Sequence, residues 1–224
     1  MKLCVLSCCY EKPELASILK ESCEIQGLPL VFCEAAAFRG TWSGSMRVGK
    51  LVAAREALPG LANYTHVLWA DGFDSFVQAD EQGIFDRLDE LGNPPMVFSA
   101  EKNCWPDQGE AERYPKVEGP YRYINAGTWM GTVEYLRFAV ETALGLSPDH
   151  DDQRLWTQAF LGGHLPGAVV DSYREIFQTM WGTELEDVAD SCVIHYNGGI
   201  WRNPTDLRYV DHWAKVKKSW EVAQ

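Results

Sequence analysis

The stretch VLWADGFDSFV, residues 67–77, runs apolar into Asp71 and then places a second carboxylate, Asp74, beyond Gly72 and Phe73. Its first half reads as a buried strand, and burying an isolated ionised carboxylate costs several kcal/mol. The pair therefore sits at the solvent-facing tip of the strand or faces a counter-charge. The two options merge if the counter-charge is a metal ion.

Working outward, strands and helices alternate on both sides. Upstream, KLCVLSCC (2–9) reads as a strand, KPELASILKESCEIQG (12–27) as a helix ending at Gly27, and LPLVFCEA (28–35) as a second strand. FRGTWSGSMRVG (38–49) is loop-like, and KLVAAREALPG (50–60) is a helix stopped by Pro59-Gly60. Downstream come a helix over EQGIFDRLDELG (81–92) and a strand over PPMVFSAE (94–101). Such alternation predicts an α/β fold with a mostly parallel central sheet flanked by helices on both faces. In sheets of that kind ligands gather at the carboxyl ends of the strands, which is where Asp71 and Asp74 fall.

The second half is less regular. EKNCWPDQGEAERYP (101–115) predicts a long loop over one strand end. YRYINAGTWMGTVEYLRFAVETALG (121–145) predicts a short strand, a Gly-rich turn and an amphipathic helix. DHDDQRLWTQAFLGG (149–163) places Asp149, Asp151 and Asp152 ahead of a periodic helix, where the helix dipole favours carboxylates. AVVDSYREIFQTM (168–180) and CVIHYNGG (192–199) predict further strands, the last ending at His195.

Composition narrows the function classes. A chain of 224 residues with 46% hydrophobic content can bury a full core, and no linker, repeat or low-complexity segment divides it, so residues 1–224 are expected to form one domain. The formal charge of −12 opposes binding to polyanions. No cleavable leader or bilayer-length apolar run is evident, and seven cysteines without framework spacing suggest a reducing compartment, so a cytoplasmic protein off the membrane is expected.

The runs VLWADGFDSF, VFSAEKNCWPD, YRYINAGTWMG, DDQRLW, DSYREIFQ and VIHYNGG, in this order and spacing, resemble the glycosyltransferase domain of the procollagen lysyl hydroxylase and procollagen galactosyltransferase families. The resemblance reaches from the first strand to about residue 202. It implies the GT-A fold and transfer of glucose or galactose from a UDP-sugar, with Mn2+ as cofactor.

Asp71, Asp74 and His195 match that family's metal ligands, and their chemistry suits a divalent ion that neutralises a diphosphate. By the same resemblance Trp42 stacks on uracil, Phe73 lies near the base, Lys50 lies near the donor, and Asn197 and Gly198 approach the diphosphate. Asp151 and Asp152 resemble an acidic run facing sugar and acceptor, where a carboxylate orients hydroxyls or takes the acceptor's proton. Trp105 matches a tryptophan on a loop gating the sugar pocket, and Asn125 lines that pocket. Taken alone, Asp71-x-x-Asp74 equally fits an Asx-capped turn, His195 a core histidine, Lys50 a solvated lysine, Asp151-Asp152 a helix cap, and Asn125 and Asn197 turn residues.

The expected acceptor is a hydroxyl, either protein hydroxylysine or a hydroxymethylated DNA base in a phage-type setting. Two other readings fit the same residues: a catalytically silent nucleotide-sugar-binding scaffold, and a metal-dependent phosphohydrolase. Oligomeric state is not legible in the sequence.

Overall fold

The computed structural model describes residues 1–8, 16–33, 47–146, 151–198 and 208–223. Its strands are β1 (Leu3–Cys8), β2 (Leu30–Cys33), β3 (His66–Ala70), β4 (Ser75–Val77), β5 (Met96–Glu101), β6 (Tyr123–Thr132), β7 (Val169–Asp171), β8 (Phe177–Thr179) and β9 (Val193–His195). The α-helices are α1 (Ser17–Ile25), α2 (Val48–Ala57), α3 (Glu81–Glu90), α4 (Val133–Leu146), α5 (Asp152–Leu161) and α6 (Arg208–Ala223). Trp42, Asp149 and His150 lie outside the described residues.

Six strands form one sheet in the order β2-β1-β3-β6-β5-β7. Every residue of β1, β3 and β5 is buried, because both faces of the sheet are covered. The two-residue period of a strand sorts the side chains. Leu3 and Val5 of β1 pack with Leu68 of β3 toward α1 and α3. Cys4 and Leu6 pack with Val67 and Trp69 toward α2, α4 and α5. Trp69 and Trp129 are cross-strand partners with rings stacked at 5.4 Å, and Trp156 of α5 meets Trp129 edge-on.

One strand departs from the parallel arrangement that the alternation predicts. β6 runs against both β3 and β5, while β2, β1, β3, β5 and β7 run together. The physical reason is the connection. A parallel return needs a crossover helix, whereas residues 102–122 form loop and one 3-10 turn (Gln108–Arg113). The Gly-rich turn predicted within 121–131 is also absent. Those residues continue as strand β6, and Gly131 is there for close approach, since a Cβ on it would lie 2.5 Å from the Pro95 carbonyl.

The pairing of β5 with β6 jumps from Phe98↔Trp129 to Ser99↔Asn125, which frees residues 126–128 from β5. This bulge lies at the end of the sheet where β3 delivers Asp71, and Asp71 donates its backbone N–H to the Gly127 carbonyl at 2.8 Å.

A second, three-stranded sheet in the order β4-β9-β8 flanks that end. β4 went unrecognised in the sequence because three residues carry too little periodicity. α6 packs beside this sheet, with Tyr209 and Trp213 clustered against Phe76, Ile194 and Tyr196. Among the described residues no helix is long and apolar enough to cross a membrane.

Candidate active site

The turn at 71–74 links the first sheet to the second, which explains the two carboxylates. Asp71 leaves the end of β3, Asp74 enters β4, and Ser75 pairs directly with His195 at the end of β9. One ligand atom from each of Asp71, Asp74 and His195 lies within 4.8 Å of the others. His195 Nε2 is 3.4 Å from Asp74 Oδ1 and 3.9 Å from Asp71 Oδ2. Asp74 is 5% exposed and His195 3%. Burial raises the Asp74 carboxyl above its ordinary range, with His195 opposing that shift. Burial alone would lower the His195 imidazole, but Asp74 and then Asp71 outweigh it and raise it.

The His195 ring has room only because residue 127 has no side chain. A Cβ on Gly127 would lie 2.0 Å from Cε1 and 2.6 Å from Nε2 of His195. The bulge in β6 therefore does two things: its backbone holds Asp71, and its missing Cβ admits the imidazole.

Lys50, the third residue of α2, is no solvated lysine. Its Nζ lies 3.0 and 3.1 Å from the two Asp71 oxygens and 2.9 Å from Asp152 Oδ2. Burial works against its charge, yet Asp152 and Asp71 hold its pKa well above normal. Asp71 also accepts from the Trp69 indole at 3.3 Å. The two adjacent aspartates divide the alternatives between them. Asp151 is the N-cap of α5, accepting from the Arg154 amide at 3.1 Å, and its other oxygen meets Arg47 at 2.7 Å. Asp152 is 3% exposed, and burial, partly offset by Lys50, pushes its pKa up to about 6.

The next two residues of α5 continue the pattern. Gln153 donates to Glu101 at 2.6 Å and to the Trp105 carbonyl at 3.0 Å, and it accepts from the Ala126 amide at 3.2 Å. Arg154 grips Asp107 through two nitrogens, at 2.7 and 3.2 Å. Four consecutive residues thus tie α5 to Arg47 and Lys50, to the end of β5, to the bulge of β6, and to the loop carrying Trp105.

Glu101, at the end of β5, receives three side-chain amides: Asn125 at 3.3 Å, Gln153 at 2.6 Å and Asn197 at 3.1 Å. Burial raises its pKa, and the amides only partly compensate. The Asn125 oxygen accepts from the Gly127 amide, and the Asn197 oxygen from the amides of Met180 and Trp181. Asn125, read from the sequence as lining the sugar pocket, and Asn197, read as approaching the diphosphate, both take part in this internal network. Gly198 follows with φ of +71°, under the Trp181 indole. Phe73 is half-buried in the turn between the aspartates, and Trp105 is 47% exposed.

Sequence reasoning missed Glu101, Gln153 and Gly127. Glu101 carries the signal that singled out Asp71, an apolar strand ending in a carboxylate. Nothing in the sequence alone marks Gly127, because its role depends on a ring 68 positions away.

The donor set fits a divalent cation. Two carboxylates and an imidazole converge, a third carboxylate stands behind Lys50, and burial disfavours the negative charge that a cation would offset.

The family model described as the PLOD GT domain matches residues 37–197. The chain is 32% identical over 160 residues to the procollagen-lysine,2-oxoglutarate 5-dioxygenase of Drosophila melanogaster, covering 69% of this chain and 22% of that protein. It thus spans about a fifth of that relative's length. Its fold is similar to that of a glycosyltransferase involved in the glycosylation of the major capsid of PBCV-1, with TM-score 0.58, 14% identity, and coverage of 97% of this chain and 100% of that one. It is also similar to that of the galactosyltransferase LgtC in complex with donor and acceptor sugar analogues, with TM-score 0.53, 16% identity, and coverage of 98% and 96%. The architecture is the GT-A fold.

Proposed function

Since this chain belongs to the PLOD glycosyltransferase-domain family, we propose that it moves glucose or galactose from a UDP-sugar to a hydroxyl acceptor, with Mn2+ held by Asp71, Asp74 and His195. The observation that carries the reading is the convergence of those three side chains, from two sheets, within 4.8 Å. When bound, the ion supplies positive charge against the diphosphate in the donor and in the departing UDP.

The chain's own residues supply the rest. Lys50 is a second cation that shares Asp71 with the proposed ion and pairs with Asp152 on its other side, suited to add positive charge against the donor diphosphate. Asp152, with a pKa pushed up to about 6, is an anion at neutral pH, suited to orient sugar hydroxyls or to take the acceptor's proton. Glu101 and its three amides form a rigid floor that fixes Asn125, Gln153 and Asn197. Trp105 forms the exposed rim of the sugar pocket. Trp42, which lies outside the described residues, would stack on uracil, with Phe73 near the base and Gly198 toward the diphosphate.

For the acceptor, hydroxylysine in a protein is favoured over a hydroxymethylated DNA base, because a chain of net charge −12 repels nucleic-acid phosphates. The test is UDP release from UDP-glucose and UDP-galactose, with and without Mn2+, against a hydroxylysine peptide and a hydroxymethylcytosine oligonucleotide. Mn2+-dependent release that requires the peptide is expected. Release that needs no acceptor would point instead to a phosphohydrolase, and absence of any Mn2+-dependent UDP affinity would remove the proposal.

A further inference from the structure

α6 lies outside the segment 37–197 that the family model matches, yet it reaches the strands that carry two of the three cluster residues. β4 is the edge strand of the second sheet, and an edge leaves every other backbone group without a ladder partner. The Asp74 carbonyl faces inward and accepts from the Tyr196 amide at 2.7 Å. The Ser75 carbonyl accepts instead from the Tyr209 hydroxyl of α6 at 2.7 Å. One helical turn further, His212 Nδ1 pairs with the Tyr196 hydroxyl at 2.8 Å. α6 therefore holds the residue following Asp74 and the residue following His195, using side chains three positions apart on one helix face.

The helix is itself fixed. Trp213 and Lys217, on the same face, both donate to Glu21 of α1, at 2.9 and 2.8 Å. α1 in turn holds the other end of β4, where Ser22 Oγ accepts from the Val77 amide at 3.1 Å. The Phe76 ring packs against Tyr209, His212 and Trp213.

We propose that Tyr209 and His212 are positioning residues that set the placement of Asp74 relative to His195, so that docking of α6 and binding of a divalent cation at the cluster are reciprocally coupled. The inference rests on reading Asp71, Asp74 and His195 as a metal site. Reciprocity follows from linkage: if a docked helix holds the donors closer to their bound arrangement, a bound ion must favour the docked helix. Simple coverage of an apolar patch would need the Tyr209 ring but not its hydroxyl, which separates the two roles.

The test compares the full chain with its Tyr209→Phe, Tyr196→Phe and doubly substituted forms, each of which keeps the ring and the packing. Mn2+ affinity by calorimetry should fall about three- to tenfold in each single variant, a fraction of the loss common when a partner of a metal ligand is removed. Amide exchange at Tyr196 should quicken while β1 and β3 stay protected. Mn2+ should slow exchange along α6 in the parent and not in the double variant. His212→Ala should mimic Tyr196→Phe, and His212→Gln, which keeps a partner for the hydroxyl, should restore affinity. The histidine pair also serves if a tyrosine variant fails to fold. Unchanged Mn2+ affinity and unchanged Tyr196 exchange in folded variants would overturn the inference. If the parent chain binds no Mn2+, the metal reading fails, and exchange at Tyr196 still decides whether α6 positions the strands.

Discussion

Replacing Gly127 by alanine would put a methyl group 2.0 Å from His195 Cε1. Carbon atoms in contact rest about 3.5–4.0 Å apart, so the imidazole would have to retreat by roughly 1.5 Å. It has little room to do so, being 3% exposed and at the end of a strand hydrogen-bonded on both sides by β4 and β8. Overpacking of this kind costs about 1–3 kcal/mol of stability. The larger consequence is chemical, because donor atoms that now lie within 4.8 Å of one another would no longer converge. Loss of alignment at a metal ligand weakens binding by about 10–100-fold, and Mn2+ titration calorimetry would read this directly. Gly145→Ala is the matched control. It adds the same methyl near the end of α4, where nothing lies within 4 Å, and should stabilise the fold by about 0.4–1 kcal/mol with Mn2+ binding intact. A Gly127→Ala protein that binds Mn2+ as tightly as its parent would refute the steric reasoning.

Three other outcomes are expected. Asp74→Asn removes a carboxylate that burial disfavours, so the metal-free protein should melt no lower than its parent while Mn2+ affinity drops by about 100-fold, a comparison of thermal melts with calorimetry. Lys50→Met leaves Asp152 buried without its cation and should cost about 3–5 kcal/mol in urea unfolding at pH 7.5, most of it recovered by adding Asp152→Asn. The Asp152 carboxyl is raised from 3.8 to about 6, so its contribution to stability is complete below the unfolded value and fades as pH rises through the folded one. Melting temperature measured from pH 4 to pH 7 should therefore fall more steeply in the parent than in Asp152→Asn, and equal slopes would contradict the assignment.

Much of the fold was legible because its strands carry their own signals. β1, β3 and β5 are apolar runs ending in polar or acidic residues, and each falls where the sequence places a strand. The direction of β6 was not legible, since it depends on what a 21-residue connection does in space rather than on the strand's composition. The convergence of Asp71, Asp74 and His195 was anticipated through motif order, and the 71–74 turn between two sheets supplies its physical cause. Lys50 was undecidable from the sequence because its burial is imposed by two aspartates on other elements. Asp151 and Asp152 look alike in sequence, and only the helix start separates a cap from a buried anion. Gln153 and Glu101 form a contact across 52 positions that no local pattern encodes.

The separation of the cluster along the chain bears on biosynthesis. Asp71 and Asp74 leave the ribosome roughly 120 residues before His195, and β4 has no ladder partner until β9 exists to pair with it. During that interval a nascent chain displays two carboxylates without the imidazole that completes the trio, so it cannot capture a cation with three protein donors. At the proposed metal site, loading would therefore wait until β9 has been made, and an ion added earlier would meet only a weak, open-ended chelator.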